Sequence, residues 1–216
     1  MAALNGELDP EKVGEVFGIG IIAIPVACLL TGYCWLSLHT ELRCYGFGIV
    51  KKNPLGTLMI RFEELEALTF SKKMASHGNA TSGYTYRMQF YPKPSSGKKS
   101  IELSIHDAND QLELEAIRDH VADFIAERLL AEVEKTGSQP WTPLMRIKRD
   151  GLECQTRNGW QFVAWNNLRL DVDGEGFLKV YDTTYPRMLV GVGDIAENFY
   201  PGLLVVNDKL AEISKG

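Results

Sequence analysis

An apolar stretch near the N-terminus, residues 16–38, limits most strongly what this chain can fold into. It reads VFGIGIIAIPVACLLTGYCWLSL and contains no charged residue. A helix needs only about 20 such residues to cross the hydrocarbon core of a bilayer. Tyr33 and Trp35 lie near its C-terminal end, where amphipathic rings favour the headgroup layer. The stretch therefore predicts a transmembrane helix over 16–38, preceded by an acidic tail over 1–15.

The charges that flank this stretch predict how the rest of the protein is oriented. Only Lys12 is basic before it, whereas Arg43, Lys51 and Lys52 follow it, and basic residues favour the cytoplasmic side. We expect a protein of the cell inner membrane whose soluble domains face the cytoplasm. The alternative is a soluble small-molecule carrier or enzyme with the apolar N-terminus packed in its core, because Pro25 and several glycines interrupt the run.

Composition and charge narrow the classes of ligand. The 216 residues are 45% hydrophobic and 24% charged, which is typical of a folded chain. The net charge of -5 gives no overall attraction to nucleic acid, so we expect no nucleic-acid partner. The four cysteines show no CxxC spacing and have no histidine at ligand spacing, so we predict no metal site.

Beyond the apolar stretch, β-favouring runs are followed by a helical pattern, and this order occurs twice. The first set predicts strands at about 42–51, 57–62, 65–72, 84–91 and 100–106 and then an amphipathic helix over 107–135. The second predicts strands near 143–148, 151–156, 159–165, 167–172, 176–181 and 185–190 and then a helix over 194–213. We therefore expect two domains, 41–137 and 140–214, each an antiparallel sheet or partial barrel closed by a C-terminal helix.

Small and apolar residues support a duplication. Six positions of the first set match six of the second at an offset of 103 (151 − 48). They are Gly48, Ile49, Gly56, Ile60, Phe62 and Leu65, matched by Gly151, Leu152, Gly159, Val163, Trp165 and Leu168. The shared pattern predicts a strand, a hairpin that contains glycine, a second strand that ends in an aromatic residue, and a further strand.

Several segments together resemble a known family. GFGIVKK, MIRFEELEALTF, GYTYRMQF and DGLECQTRNGWQFVAWNNLRLDV, placed between the apolar span and the helices, resemble an uncharacterised bacterial family of membrane-anchored proteins with tandem pleckstrin-homology-like (PH-like) domains. The resemblance implies an α+β fold in which an N-terminal transmembrane helix precedes two PH-like units. The family has no established activity, so the resemblance implies no catalytic residue.

No motif in the sequence indicates catalysis. The histidines His39, His77, His106 and His120 show no HExxH spacing, and no serine lies in a GxSxG turn. Two GxGxxA matches occur, at 18–23 and 191–196. The first indicates helix packing through small residues, and the second a turn before a helix capped by Asp194. We therefore predict a protein that is not an enzyme and has no cofactor.

Basic residues collect on the predicted strands of the first domain. Residues 42–106 hold ten basic and four acidic residues, and a tethered basic surface gains about 1 kcal/mol per cation from an anionic leaflet. The candidate residues for lipid-headgroup contact are Lys51, Lys52, Lys72, Lys73, Lys98 and Lys99. The alternative is that these lysines only keep the sheet edges soluble.

Aromatic residues alternate along one predicted strand of the second domain. Trp160 and Phe162 are two residues apart and so share one face of the strand, while Trp165 falls on the other. One face is expected to pack beneath the C-terminal helix, and an exposed Trp160 and Phe162 would form a groove for a partner.

Three functions are compatible with this pattern. The first is a membrane-anchored binding or scaffold protein that recognises a protein partner or an anionic lipid surface, for example by strand addition at a sheet edge. The second is the soluble carrier or enzyme described above. The third is a structural subunit of a membrane complex.

Overall fold

The computed structural model describes residues 28–32, 35, 39–77, 80–107, 111–173, 176–185 and 187–215. It consists mainly of short antiparallel strands. The strands of the first half are β1 (Glu41–Tyr45), β2 (Gly48–Asn53), β3 (Gly56–Arg61), β4 (Leu65–His77), β5 (Ala80–Pro92) and β6 (Ile101–Asp107), followed by helix α1 (Leu112–Thr136). Those of the second half are β7 (Ser138–Thr142), β8 (Met145–Lys148), β9 (Gly151–Thr156), β10 (Gly159–Ala164), β11 (Leu168–Val172), β12 (Phe177–Asp182) and β13 (Arg187–Gly193), followed by helix α2 (Phe199–Ser214).

These strands form four small sheets. Their strand orders are β1-β2-β3, β4-β5-β6, β10-β9-β8-β7 and β11-β12-β13. The chain forms two compact units, and the second comprises Cys44–Val50 and Leu58–Gly216. All packing described below lies within that second unit.

The structure does not contain the transmembrane helix in the form that the sequence predicted, as far as its described residues go. Among the described residues, no helix combines the length and the apolar character that crossing a membrane requires. Helix α1 has 25 residues but carries acidic side chains, and α2 has only 16, fewer than the about 20 that a span needs. The fold class predicted from the sequence, with its N-terminal spanning helix, is therefore wrong. Most of the predicted span, 16–38, lies outside the described residues. The structure describes only residues 28–32 and Trp35 of it, and these are helical.

The two halves carry corresponding elements in the same order. The hairpin β2–β3, a 3₁₀ turn at Phe62–Glu64 and the start of β4 correspond to the hairpin β9–β10, a 3₁₀ turn at Trp165–Asn167 and the start of β11. The corresponding elements are 103 positions apart (151 − 48). The second half has one additional strand, β7, at the edge of its first sheet.

Helix α1 contributes to the cores of both halves. Its ends follow local chemistry: Glu113 and Glu115 lie in the first turn, and Gly137, with φ 82°, ends the helix by donating its N–H to Val133 O at 2.7 Å. Val121 near its middle is fully buried. Its C-terminal part, which includes Val133, joins the apolar core of the second half.

Two hydrogen bonds and a stacked arginine join the second half to the sheet of β4. Asn198, in the left-handed region with φ 56°, donates its N–H to Leu68 O at 2.9 Å and accepts from Leu68 N–H through Oδ1 at 3.2 Å. The Arg118 guanidinium of α1 lies 4.9 Å from the Phe70 ring centroid and 4.5 Å from that of Tyr200. Such cation–π contacts stabilise by about 1 kcal/mol or more when they are partly buried.

Candidate functional site

The strand β10 presents aromatic side chains to solvent. Trp160 is 39% exposed and Phe162 is 48% exposed, and both lie on the outer face of the sheet, whereas Trp165 is buried with 7% exposure. The Trp165 indole N–H donates to Arg149 O at 2.9 Å, so this ring is satisfied inside the core. The sequence pattern assigned Trp160 and Phe162 to one face of the strand, and in the structure both side chains are exposed.

The backbone of β10 has one side without a partner strand. The register pairs Gln161 with Cys154 and Val163 with Leu152, and Trp165 N–H donates to Asp150 O at 3.2 Å. Hydrogen-bonded residues alternate along an antiparallel pair, so Trp160 and Phe162 direct their N–H and C=O groups away from β9. Among the described residues, nothing hydrogen-bonds to these groups on the outer side. The outer edge of β10 is therefore open to another strand.

Charged residues support the aromatic face from the neighbouring strands. The Arg146 guanidinium lies 4.1 Å from the Trp160 ring centroid. Glu153 on β9 pairs with Lys148 at 3.1 Å and with Arg146 at 3.8 Å. These contacts hold the Trp160 ring against the sheet, so a partner meets a positioned aromatic surface.

A cleft of about 360 Å³ lies on the other side of β10. One wall is Gln161 with the β9–β10 turn, and the other is Met188 and Leu189 of β13. Met188 is half exposed. Two edge strands, β10 and β13, therefore border an open cleft with an apolar wall.

Two of the six lysines proposed for lipid contact form ion pairs with glutamates. Lys72 pairs with Glu115 at 2.7 Å, and Lys98 pairs with Glu64 at 2.6 Å. The hydrogen bond from Lys98 lowers the pKa of the Glu64 carboxyl. Both lysines thus have structural partners. Of the other four, Lys73 and Lys99 are exposed residues of the second compact unit, and Lys51 and Lys52 belong to the first.

The first half contains an aromatic cleft that the sequence reasoning missed. Its volume is about 560 Å³, and its lining residues are Gly46, Phe47, Met59, Arg61, Phe62, Glu63 and Phe124. Phe47 is exposed and stacks on Tyr45 with ring centroids 5.3 Å apart. Tyr45 and Phe47 flank Gly46 in the sequence, and this pair of aromatic residues was the signal that could have indicated the cleft.

A third cleft, of about 460 Å³, lies where the two halves meet. We call it the junction cleft. Its lining residues are Glu66, Ala67, Tyr91, Pro92, Pro140, Trp141, Thr142, Pro143, Glu197 and Asn198. They come from β4, β5, β7 with the turn after it, and the turn before α2, and no local motif connects them. Sequence patterns could not have brought them together.

The described residues include one buried thiol, Cys154. Burial raises the pKa of the Cys154 thiol to about 12, with a further contribution from Glu153, so this thiol stays protonated and inert near neutrality. Within the described part of the chain, no three His, Cys, Asp or Glu side chains are grouped to hold a metal ion.

No family model, curated protein or solved structure matches this chain. The resemblance to PH-like proteins is therefore untested and stays a prediction.

Proposed function

We propose that this protein is a binding module that receives an extended peptide of a partner protein by strand addition at the outer edge of β10. A single observation carries the proposal: β10 combines unpaired backbone groups with two exposed aromatic side chains, Trp160 and Phe162. Strand addition uses the backbone groups for affinity and the alternate side chains for specificity.

The lack of protection on this edge distinguishes β10 from other strands. Natural edge strands are protected by charge, by proline or by a covering segment. The sequence of β10, GWQFVA, contains neither a charged residue nor proline. At the opposite edge of the same sheet, Pro140 stands on β7 at a position whose N–H would point outward, and proline has no N–H. An unprotected aromatic edge is an aggregation liability that a binding role accounts for.

The spacing of the two exposed rings supports a partner with a particular pattern of side chains. Side chains of an added strand that lie beside Trp160 and Phe162 are two residues apart on one face. Both rings are apolar and exposed, so the matching peptide positions are β-branched or aromatic. The partner is therefore an extended segment with apolar residues at alternate positions.

A capped heptapeptide that alternates valine with threonine tests this proposal by isothermal titration calorimetry. The matched control peptide carries N-methyl groups on the amides that would face β10, which removes the backbone donors and leaves the side chains unchanged. We expect saturable binding of the first peptide and none of the second. Equal binding of both peptides would contradict strand addition.

Variants of the protein locate the binding surface. Trp160→Ser and Phe162→Ser should each weaken binding by about tenfold or more, as for central interface aromatics. Tyr185→Ser is the matched control, because Tyr185 is an exposed aromatic residue that lies outside β10. Sedimentation equilibrium tests whether a second copy of this chain occupies the edge instead of a peptide. A dimer that Phe162→Lys dissociates and that the peptide does not disrupt would assign the edge to self-association.

A further inference from the structure

The junction cleft has an acidic rim and an apolar lining. Glu66 and Glu197 are exposed at the cleft, and its lining includes no basic residue. Neither carboxylate takes part in a hydrogen bond or ion pair within the described chain. Tyr91, Ala67 and three prolines supply the apolar surface. The cleft therefore offers negative charge next to flat apolar faces.

Arg128 lies beside Glu66, and its guanidinium is engaged by main-chain oxygens. Arg128 of α1 donates to the main-chain oxygen of Leu65, and to that of Glu66 at 3.0 Å. Its pKa is lowered, chiefly by burial, although Glu66 acts in the opposite direction. These hydrogen bonds fix the backbone that carries Glu66 and leave its carboxylate facing solvent.

The floor of the cleft is rigid. The Trp141 indole N–H donates to Asn198 O at 2.9 Å and to Phe199 O at 3.1 Å. Asn198 in turn hydrogen-bonds twice to Leu68 of β4. A ligand therefore binds a prearranged surface and loses little free energy to ordering the protein.

Aromatic rings elsewhere in this protein bind both kinds of cation. The guanidinium groups of Arg118, Arg146 and Arg169 lie within 5 Å of a ring centroid, and the Lys72 ammonium lies 4.8 Å from that of Tyr84. The choice between them at the junction cleft therefore rests on its flat apolar faces and its carboxylates. A planar guanidinium stacks on flat faces and donates two parallel hydrogen bonds to one carboxylate. A compact ammonium has neither the flat shape nor this paired geometry. We propose that the junction cleft binds the guanidinium of an arginine side chain from a partner polypeptide.

N-acetylarginine amide is the probe, and N-acetylcitrulline amide is its matched neutral control. Binding is followed by shifts of the backbone amide resonances of Ala67, Tyr91 and Asn198, with the full chain in solution. We expect saturable shifts at these residues with the arginine probe, an affinity at least about tenfold weaker for the citrulline probe, and a loss of binding as salt is added. Equal affinities for the two probes, or shifts confined to other residues, would overturn the proposal.

The double variant Glu66→Gln with Glu197→Gln should abolish the shifts. Its matched control is Glu113→Gln with Glu127→Gln, which removes the same charge from exposed positions on α1. The control should bind the arginine probe like the wild type. A control that loses binding to the same extent would show a general effect of net charge and would reject the site.

Discussion

The outer edges of β4 and β10 differ in how the rest of the chain treats them. On β4, Leu68 is bonded by Asn198, and Lys72 N–H donates to the Asp194 carboxylate. On β10, the corresponding groups of Trp160 and Phe162 have no partner among the described residues. One edge has been used to join the halves and the other has been left open. An edge covered by its own chain is structural, whereas an open and uncharged edge points to a partner.

The first half offers a second comparison for β10. At the end of β3, Arg61 N–H donates to the Glu64 carboxylate at 3.0 Å. The equivalent of Glu64 in the second half is Asn167, which forms no such bond with Ala164. A change of one residue type at the 3₁₀ turn therefore leaves the end of β10 without a local cap.

The largest effect is expected where Gly202 of α2 packs against Trp141 of β7. A Cβ atom on Gly202 would lie 2.0 Å from Trp141 ring atoms, so Gly202→Ala should lower the free energy of unfolding by about 1–3 kcal/mol. Alanine otherwise favours a helix over glycine, so a loss identifies the ring contact. Urea denaturation measures it, with Gly46→Ala as the control because that position faces open space. Equal losses in both variants would refute this explanation.

Asn198→Ala should have the next largest effect, because it removes the acceptor for Leu68 N–H and places alanine at φ 56°. We expect a loss of about 2 kcal/mol in unfolding free energy and faster hydrogen exchange of the Leu68 amide. Asn198→Gly removes the same acceptor but tolerates the left-handed backbone, so it should cost less. Identical losses would mean that the backbone conformation contributes nothing.

Trp160→Thr on the open edge should change stability little. The variant loses the Arg146 contact to an exposed ring, which corresponds to about 1 kcal/mol at most, while β9 keeps its register with β10. Thermal and urea unfolding measure this. A loss as large as that of Asn198→Ala would mean that the β10 face is structural and would remove the contrast between the two edges.

Local patterns predicted much of the second half. The strands expected at 151–156 and 159–165 correspond to Gly151–Thr156 and Gly159–Ala164. The side-chain alternation that grouped Trp160 with Phe162 is a period of two along a single strand. Strand β7 was missed because Pro140 is a poor strand former.

Contacts between distant segments were beyond the sequence. The last helix was expected from residue 194 with Asp194 as its cap, yet it begins at Phe199. Residues 194–198 instead form the turn that meets the edge of β4. Nothing local marks that turn as a partner of Leu68. The ion pairs of Lys72 and Lys98 were also beyond the sequence, because Glu115 and Glu64 lie far along the chain from them.

Asp194 allows the smallest test of the covered edge. Burial raises the pKa of its carboxyl, although nearby Lys73 and the Lys72 N–H act in the opposite direction. The folded protein therefore holds this proton more tightly than the unfolded chain. Its contribution to stability is fully present below the ordinary pKa of an aspartate and is lost as the pH rises through the folded value.

Asn at this position retains an acceptor for Lys72 N–H but does not titrate. The difference in stability between the wild type and Asp194→Asn should therefore favour the wild type more in acid than near neutrality. Urea midpoints of both proteins at both pH values measure this difference. The exposed carboxylate of Asp208 on α2 supplies the control, Asp208→Asn. The opposite trend with pH would mean that ionised Asp194 stabilises the contact with β4. The turn of residues 194–198 would then be held by charge more than by the hydrogen bonds of Asn198.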